Sequence, residues 1–197
     1  MQAVTAILLA AGNASRMGAP KQQLDYGGKP LLRHAAETAL ASQCNTVIVV
    51  LGANAGELAP LLDGLAVTVV VNPRWSEGMG TSIHTGVQAA AQGGAEAVLL
   101  TLADQPLVTA DFLDQLIDLH AETGQPIVAA RYAGTVGVPV LFARPYFDGL
   151  ESLLPTQGCK KLIVANADNA LLIDCPEAEF DVDTPDDYGR LQALLKG

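Results

Sequence analysis

Aromatic residues make up only 5% of this 197-residue chain, and its 11 Lys and Arg are outnumbered by 21 Asp and Glu. The net charge of −10 argues against a nucleic acid or an anionic membrane surface as partner, because both repel an acidic protein. The three cysteines, Cys44, Cys159 and Cys175, are odd in number, widely spaced and free of any C-x-x-C. That excludes a disulfide framework and a zinc site, and it reads as reduced thiols in the cytoplasm. No apolar run approaches the roughly 20 residues that a membrane span needs. A basic region ahead of the first apolar run is also missing, so no secretory signal is expected. Internal repeats, low-complexity tracts and linkers rich in Pro or Ser are absent too. The expectation is one domain over residues 1–197.

What the chain does contain is a core. Half of its residues are hydrophobic, and Gly, Ala, Val and Leu dominate, a mixture common where parallel strands are buried on both faces. Short apolar runs at 4–9, 46–51, 67–71, 97–101, 127–131, 138–143 and 170–174 read as strands. Helical spacing occupies 30–42, 53–62, 82–92, 110–122 and 145–153. This alternation predicts a mainly parallel sheet with helices on both faces, and one antiparallel member near 127–143. Ligands of such sheets bind outside the carboxyl ends of the strands, where the strand order reverses. In a sheet of order 3-2-1-4, the loops after the first and fourth strands are neighbours.

The first of those loops is the most informative stretch. Behind the first strand, Leu9 gives way to Ala10, Ala11, Gly12 and Ala14, whose small side chains let a bulky anion lie directly on backbone N–H groups. Gly12 and Gly18 permit the positive φ angles that turn successive amides toward one point. Arg16 and Lys21 add two cations, one a planar fork and the other a point charge. The combination suits a nucleoside triphosphate. It is neither a Walker loop nor G-x-G-x-x-G.

Two acidic segments could supply metal ligands. Thr101-Leu102-Ala103-Asp104-Gln105-Pro106 ends the fourth strand, and the nearby proline favours an extended turn with the Asp104 carboxylate in the crevice. A plain turn or capping aspartate is the alternative, although Thr109 is the better cap for the helix that follows. In 181–187, alternation puts Asp181 and Asp183 on one side. Thr184 suits a helix cap, Pro185 the first helical position, and Asp186 and Asp187 the positive end of the helix dipole. Those roles leave Asp183 unexplained. Between the two segments, Asn72-Pro73-Arg74-Trp75-Ser76-Glu77-Gly78-Met79-Gly80-Thr81-Ser82 joins the third strand to a helix. Gly78 and Gly80 allow close approach there, and Ser82 sits near the helix start. Trp75 either stacks on a ring or covers the core edge. His34, His84 and His120 fall in helical patterns and read as packing or surface residues. Lys29, ahead of Pro30, reads as a solvated turn residue.

Asn13-Ala14-Ser15-Arg16-Met17-Gly18 and Lys21 match position by position the signature LAAGxSxRMGxxK of the MobA-like nucleotidyltransferases, and the chain resembles their molybdenum cofactor cytidylyltransferase branch. NPxWxxGMxxS at 72–82 and DxDTP at 181–185 add to the likeness. The resemblance implies a Rossmann-like three-layer α/β/α nucleotide-diphospho-sugar transferase fold with a mostly parallel sheet. It implies Mg²⁺ held by Asp104 and Asp183, and a catalytic set of Arg16, Lys21 and Asp104. The nucleotide would lie on Leu9, Ala10, Ala11, Gly12, Ser15, Arg16, Lys21, Gly78 and Ser82. Alanine at position 11 is associated with cytidine over guanosine, hence CTP. The implied reaction moves CMP to a phosphorylated acceptor such as molybdopterin, with release of pyrophosphate, and a molybdoenzyme or chaperone would receive the product. Transfer from GTP, transfer to a sugar or lactate phosphate, and an inactive nucleotide-binding chaperone stand as alternatives. In the acceptor half the family's GHPVLF reads Gly137-Val138-Pro139-Val140-Leu141-Phe142. Its GDKGAR-like run reads Thr156-Gln157-Gly158-Cys159-Lys160-Lys161, which keeps positive charge without a guanidinium fork.

Overall fold

The computed structural model describes residues 3–13 and 20–195. Its strands are β1 (Val4–Ala10), β2 (Asp25–Tyr26), β3 (Lys29–Pro30), β4 (Thr46–Leu51), β5 (Thr68–Val71), β6 (Ala97–Leu102), β7 (Ile127–Tyr132), β8 (Thr135–Ala143) and β9 (Ala170–Asp174). Its helices are α1 (Leu31–Ala41), α2 (Ala55–Leu58), α3 (Met79–Gln92), α4 (Ala110–Thr123), α5 (Phe147–Glu151), α6 (Lys160–Ala165) and α7 (Pro185–Leu194). Seven strands form one sheet in the order β5-β4-β1-β6-β8-β7-β9. The expected 3-2-1-4 order is thus present as β5-β4-β1-β6. β8 is the antiparallel member, running against both β6 and β7.

Burial explains why the central strands are apolar without interruption. All seven residues of β1 are buried. Ile7 and Leu9 face one side and pack with Ile83, Val87 and Ala90 of α3. Ala6, Leu8 and Ala10 face the other and meet Leu32, Ala36 and Ala39 of α1. On that second side, Phe112, Leu113 and Leu116 of α4 extend the layer over β6, β7 and β8. Helices therefore cover both faces, which gives the Rossmann-like three-layer α/β/α arrangement. Among the described residues no helix is long and apolar enough to cross a membrane.

Several boundaries depart from the periodicity. α3 begins at Met79 rather than Ser82, because Gly78, at φ 130°, ends the preceding turn and opens the helix where a side chain would be strained. The helix expected over 53–62 divides into α2 and a 3₁₀ turn at Ala59–Leu62, where Pro60 interrupts the ladder. The helix expected over 145–153 likewise divides into a 3₁₀ turn, Arg144–Tyr146, and α5. The short hairpin β2–β3 was not expected. It turns on Gly27 and Gly28, both at positive φ (62° and 88°), as a two-residue hairpin requires. Lys29 is more than a solvated turn residue, since its ammonium pairs with Glu37 of α1.

Candidate active site

The carboxyl ends of β1 and β6 lie side by side, and two main-chain hydrogen bonds assemble the site beyond them. Ala103 N–H donates to Leu9 O at 3.2 Å, which holds the start of the Asp104 turn against the end of β1. Val182 N–H donates to Asp104 O at 2.9 Å, which lays residues 181–183 along that turn. A capping box then fixes the far side. The Thr184 hydroxyl accepts from Asp187 N–H, and the Asp187 carboxylate accepts from the N–H groups of Asp183 (3.2 Å) and Thr184 (2.9 Å). The expected roles of Thr184, Pro185 and Asp187 in the helix start are present, and the box also orients Asp183. His34 supports the Asp104 turn from α1 through a 3.0 Å hydrogen bond between Nε2 and Pro106 O.

Lys21 opens a 3₁₀ turn, Lys21–Gln23, directly after Pro20. Its ammonium lies 2.5 Å from Asp104 Oδ2 and 2.7 Å from Asp183 Oδ1, so one cation bridges two acids from distant parts of the chain. Burial by itself works against the ammonium. The Asp104 and Asp183 carboxylates outweigh that effect and hold the Lys21 pKa above its ordinary value. The other oxygen of Asp104, Oδ1, is buried and has no hydrogen-bond partner among the described residues.

This donor set fits a hard divalent cation. Two carboxylates already enclose a positive charge, and an unpaired buried oxygen is available as a further ligand atom. Mg²⁺ takes oxygen ligands and commonly binds through one or two carboxylates together with substrate phosphates and water. Among the described residues no three His, Cys, Asp or Glu side chains form a metal cage by themselves. The site therefore fits a cation shared with a ligand better than a permanently enclosed one.

The acids form one wall of a cavity of about 550 Å³, within the usual size range of ligand sites. Leu9, Ala10, Ala11 and Gly12 line it too, as do Gly78, just ahead of α3, and Ser82 in its first turn. Lys21, Asp104 and Asp183 line it as well, so residues expected from four separate segments meet there. Ser15 and Arg16 lie outside the described residues. Ser82 is buried, and its hydroxyl accepts from Asn72 Nδ2 at 2.9 Å, which ties the end of β5 to the first turn of α3. Trp75 packs on the core edge, the second of its two expected roles, and it also lines the cavity.

Sequence reasoning missed two residues here. Asp181 lines the cavity beside Asp183. Partial desolvation, and then the Asp104 and Asp183 charges, push its carboxyl up to about 6. The residue as a whole is exposed, so repulsion among the acids is the firmer of those causes. The period-2 alternation already placed Asp181 and Asp183 together and was the available signal. Gln22 is the second. It is buried, with its side-chain amide on the loop after β1, and no local pattern marked it.

Residues 6–196 match the family model of the MobA-like NTP transferase domain. The chain belongs to this family. A MobA-like NTP transferase is an enzyme, and three relatives illustrate the range of the family. The molybdenum cofactor cytidylyltransferase of Escherichia coli is 28% identical over 197 residues, covering 95% of each chain. The nicotine blue oxidoreductase of Paenarthrobacter nicotinovorans is 40% identical over 118 residues, which span 59% of this chain and only 57% of that relative's length. Among solved structures, Rv0371C of Mycobacterium tuberculosis in complex with manganese superposes with a TM-score of 0.79 at 30% identity, covering 95% of this chain and 97% of that one.

Proposed function

We propose that this MobA-like transferase is a Mg²⁺-dependent cytidylyltransferase that moves CMP from CTP to a phosphorylated acceptor such as the molybdenum cofactor. The observation that carries the reading is the Lys21–Asp104–Asp183 cluster, whose Asp104 Oδ1 has no hydrogen-bond partner among the described residues, lining one cavity together with the small-residue loop. A phosphate oxygen of the acceptor attacks the α-phosphorus of CTP, the bond to the β-phosphate breaks, and pyrophosphate leaves. The attacking oxygen is already anionic, so no covalent enzyme intermediate is needed. Catalysis then rests on positioning and charge neutralisation.

Within that scheme the backbone of Ala10, Ala11 and Gly12 receives the phosphates, and Lys21 neutralises charge on the triphosphate alongside Arg16. Gly78 lines the cavity with no side chain, which lets the Pro155–Thr156 backbone pack against it (a Cβ there would stand 2.3 Å from Pro155 O), while Ser82 offers a hydroxyl at the start of α3. Asp104 and Asp183 would hold Mg²⁺, which when bound offsets the negative charge of the triphosphate and the leaving pyrophosphate. The three free cysteines fit work in the reducing cytoplasm. The deciding experiment is pyrophosphate release with each of the four ribonucleoside triphosphates across a panel of phosphorylated acceptors that includes molybdenum cofactor. CTP should give the highest kcat/KM. Release with GTP alone would reassign the base, and no release with any pair would overturn the reading. The 40% identity to the Paenarthrobacter relative favours a second reading, an oxidoreductase. Oxidation of a hydride donor by the purified protein, with no triphosphate present, would support it.

A further inference from the structure

Lys21, Gln22 and Gln23 share one 3₁₀ turn. With three residues per turn, successive side chains leave it about 120° apart. The consequence is visible in their partners. Lys21 reaches the two acids, the exposed Gln23 reaches Glu57 at the surface, and Gln22 points into the loop that follows β1. Gln22 is 3% exposed, and its Nε2 donates to Ala10 O at 3.2 Å and to Gly12 O at 3.1 Å. Between them, Ala11 O accepts from Ala53 N–H at 3.1 Å.

We infer that Gln22 is a positioning residue for the nucleotide: its amide clamps the Ala10 and Gly12 carbonyls so that this loop offers an anion N–H groups and not carbonyl oxygens. The inference rests on the nucleotide reading above. In a trans peptide the carbonyl and the following N–H point in opposite directions. Holding Ala10 O and Gly12 O on the Gln22 side therefore turns the N–H groups of Ala11 and Asn13 away from it. Three consecutive carbonyls are thereby engaged by protein donors. An unclamped carbonyl turned into the cavity would repel a phosphate and forfeit a donor.

A second observation separates this role from packing. Gln22 Oε1 is buried with no hydrogen-bond partner among the described residues. An unpaired buried acceptor is costly, and an apolar side chain of similar length would fill the same space without one. Volume alone does not account for a glutamine here. The two donors do.

Trp75 is the chain's one tryptophan and lines the cavity, so its fluorescence reports nucleotide binding without turnover. Mg·CTP is titrated against the wild type, Gln22→Met, Gln22→Glu and the exposed neighbour Gln23→Met, with kcat and KM measured in parallel. Backbone amides that hold the phosphates alike in ground and transition state set KM more than kcat. Gln22→Met should therefore raise Kd and KM at least tenfold, with kcat within threefold of wild type and Tm within about 3 °C. Gln22→Glu has the same shape but turns an oxygen anion on both carbonyls, and it should bind more weakly still. Gln23→Met should match the wild type. An unchanged Kd in Gln22→Met overturns the clamp, as does a fall in kcat alone. Loss of its circular dichroism signal would make the residue structural and overturn the clamp equally. A wild type that binds no triphosphate removes the nucleotide reading first, and the clamp with it.

Discussion

Replacing Lys21 with alanine removes an ammonium that bridges Asp104 and Asp183, at 2.5 and 2.7 Å. The magnitude follows from how wet the cluster is. The Lys21, Asp104 and Asp183 side chains are 16%, 22% and 41% exposed. A fully buried pair costs about 3–5 kcal/mol when one partner is removed, while an exposed pair is worth about 0–1 kcal/mol. The cluster lies between those limits, at about 1–3 kcal/mol, because two partly buried carboxylates lose the ammonium that both of them contact. For a chain of this size that corresponds to a fall in Tm of roughly 3–10 °C. Millimolar Mn²⁺ should return part of it, since a ligand at ten times its Kd stabilises by about 1.4 kcal/mol. Turnover should suffer beyond the stability change, with kcat/KM lower by at least about tenfold, or 1.4 kcal/mol of transition-state stabilisation. Lys29→Ala is the internal comparison. That lysine pairs with Glu37 on α1 and should change kcat/KM by less than about threefold, under 0.7 kcal/mol. Differential scanning fluorimetry with and without Mn²⁺, together with initial rates of pyrophosphate release, measures all of this. Equal losses from the two lysines, or a Tm that rises in Lys21→Ala, would refute the reasoning.

Asp104→Ala should abolish pyrophosphate release while leaving the circular dichroism spectrum unchanged, and near-normal activity would remove Asp104 from the metal site. Thr184→Ala breaks the capping box at α7 and should cost about 1 kcal/mol by urea denaturation at pH 7. The bond from the Thr184 hydroxyl, then the Arg190 guanidinium, hold the Asp187 carboxyl down to about 2. A depressed carboxylate stabilises the fold fully above its unfolded pKa of about 3.9 and loses that contribution as pH falls through its folded value. The cost of Thr184→Ala should accordingly shrink between about pH 4 and pH 2, and a cost independent of pH would mean that Thr184 caps without Asp187. A methyl group at Gly52 would stand 2.5 Å from Trp75 Cβ and 2.7 Å from Ala11 O. Gly52→Ala should therefore displace the tryptophan or the loop, at about 1–3 kcal/mol, and weaken CTP binding in the same fluorescence titration.

The seven sheet strands, their 3-2-1-4 core and the antiparallel β8 were all legible in the sequence. The reason is local. A strand buried on both faces must be an unbroken apolar run, and the turns between runs carry small or capping residues whatever lies opposite. The same local logic placed Asp104 at a strand end and Thr184 at a helix start. Partners across the fold obey no such rule. Lys21 meets acids 83 and 162 positions away, and that encounter depends on how β1, β6 and the segment before α7 align at one end of the sheet. Gln22 carried no sequence signal, because a buried amide declares its purpose only by what it donates to. The rise in the Asp181 pKa likewise needed the fold, since desolvation and then repulsion from Asp104 and Asp183 depend on what surrounds the carboxyl in space and not along the chain. Periodicity and turn chemistry therefore determined the architecture and the segments that face the cavity. Only the tertiary structure decided which side chains meet there and which polar atom is left unpaired, because hydrogen bonding and charge depend on neighbours that the folded sheet brings together.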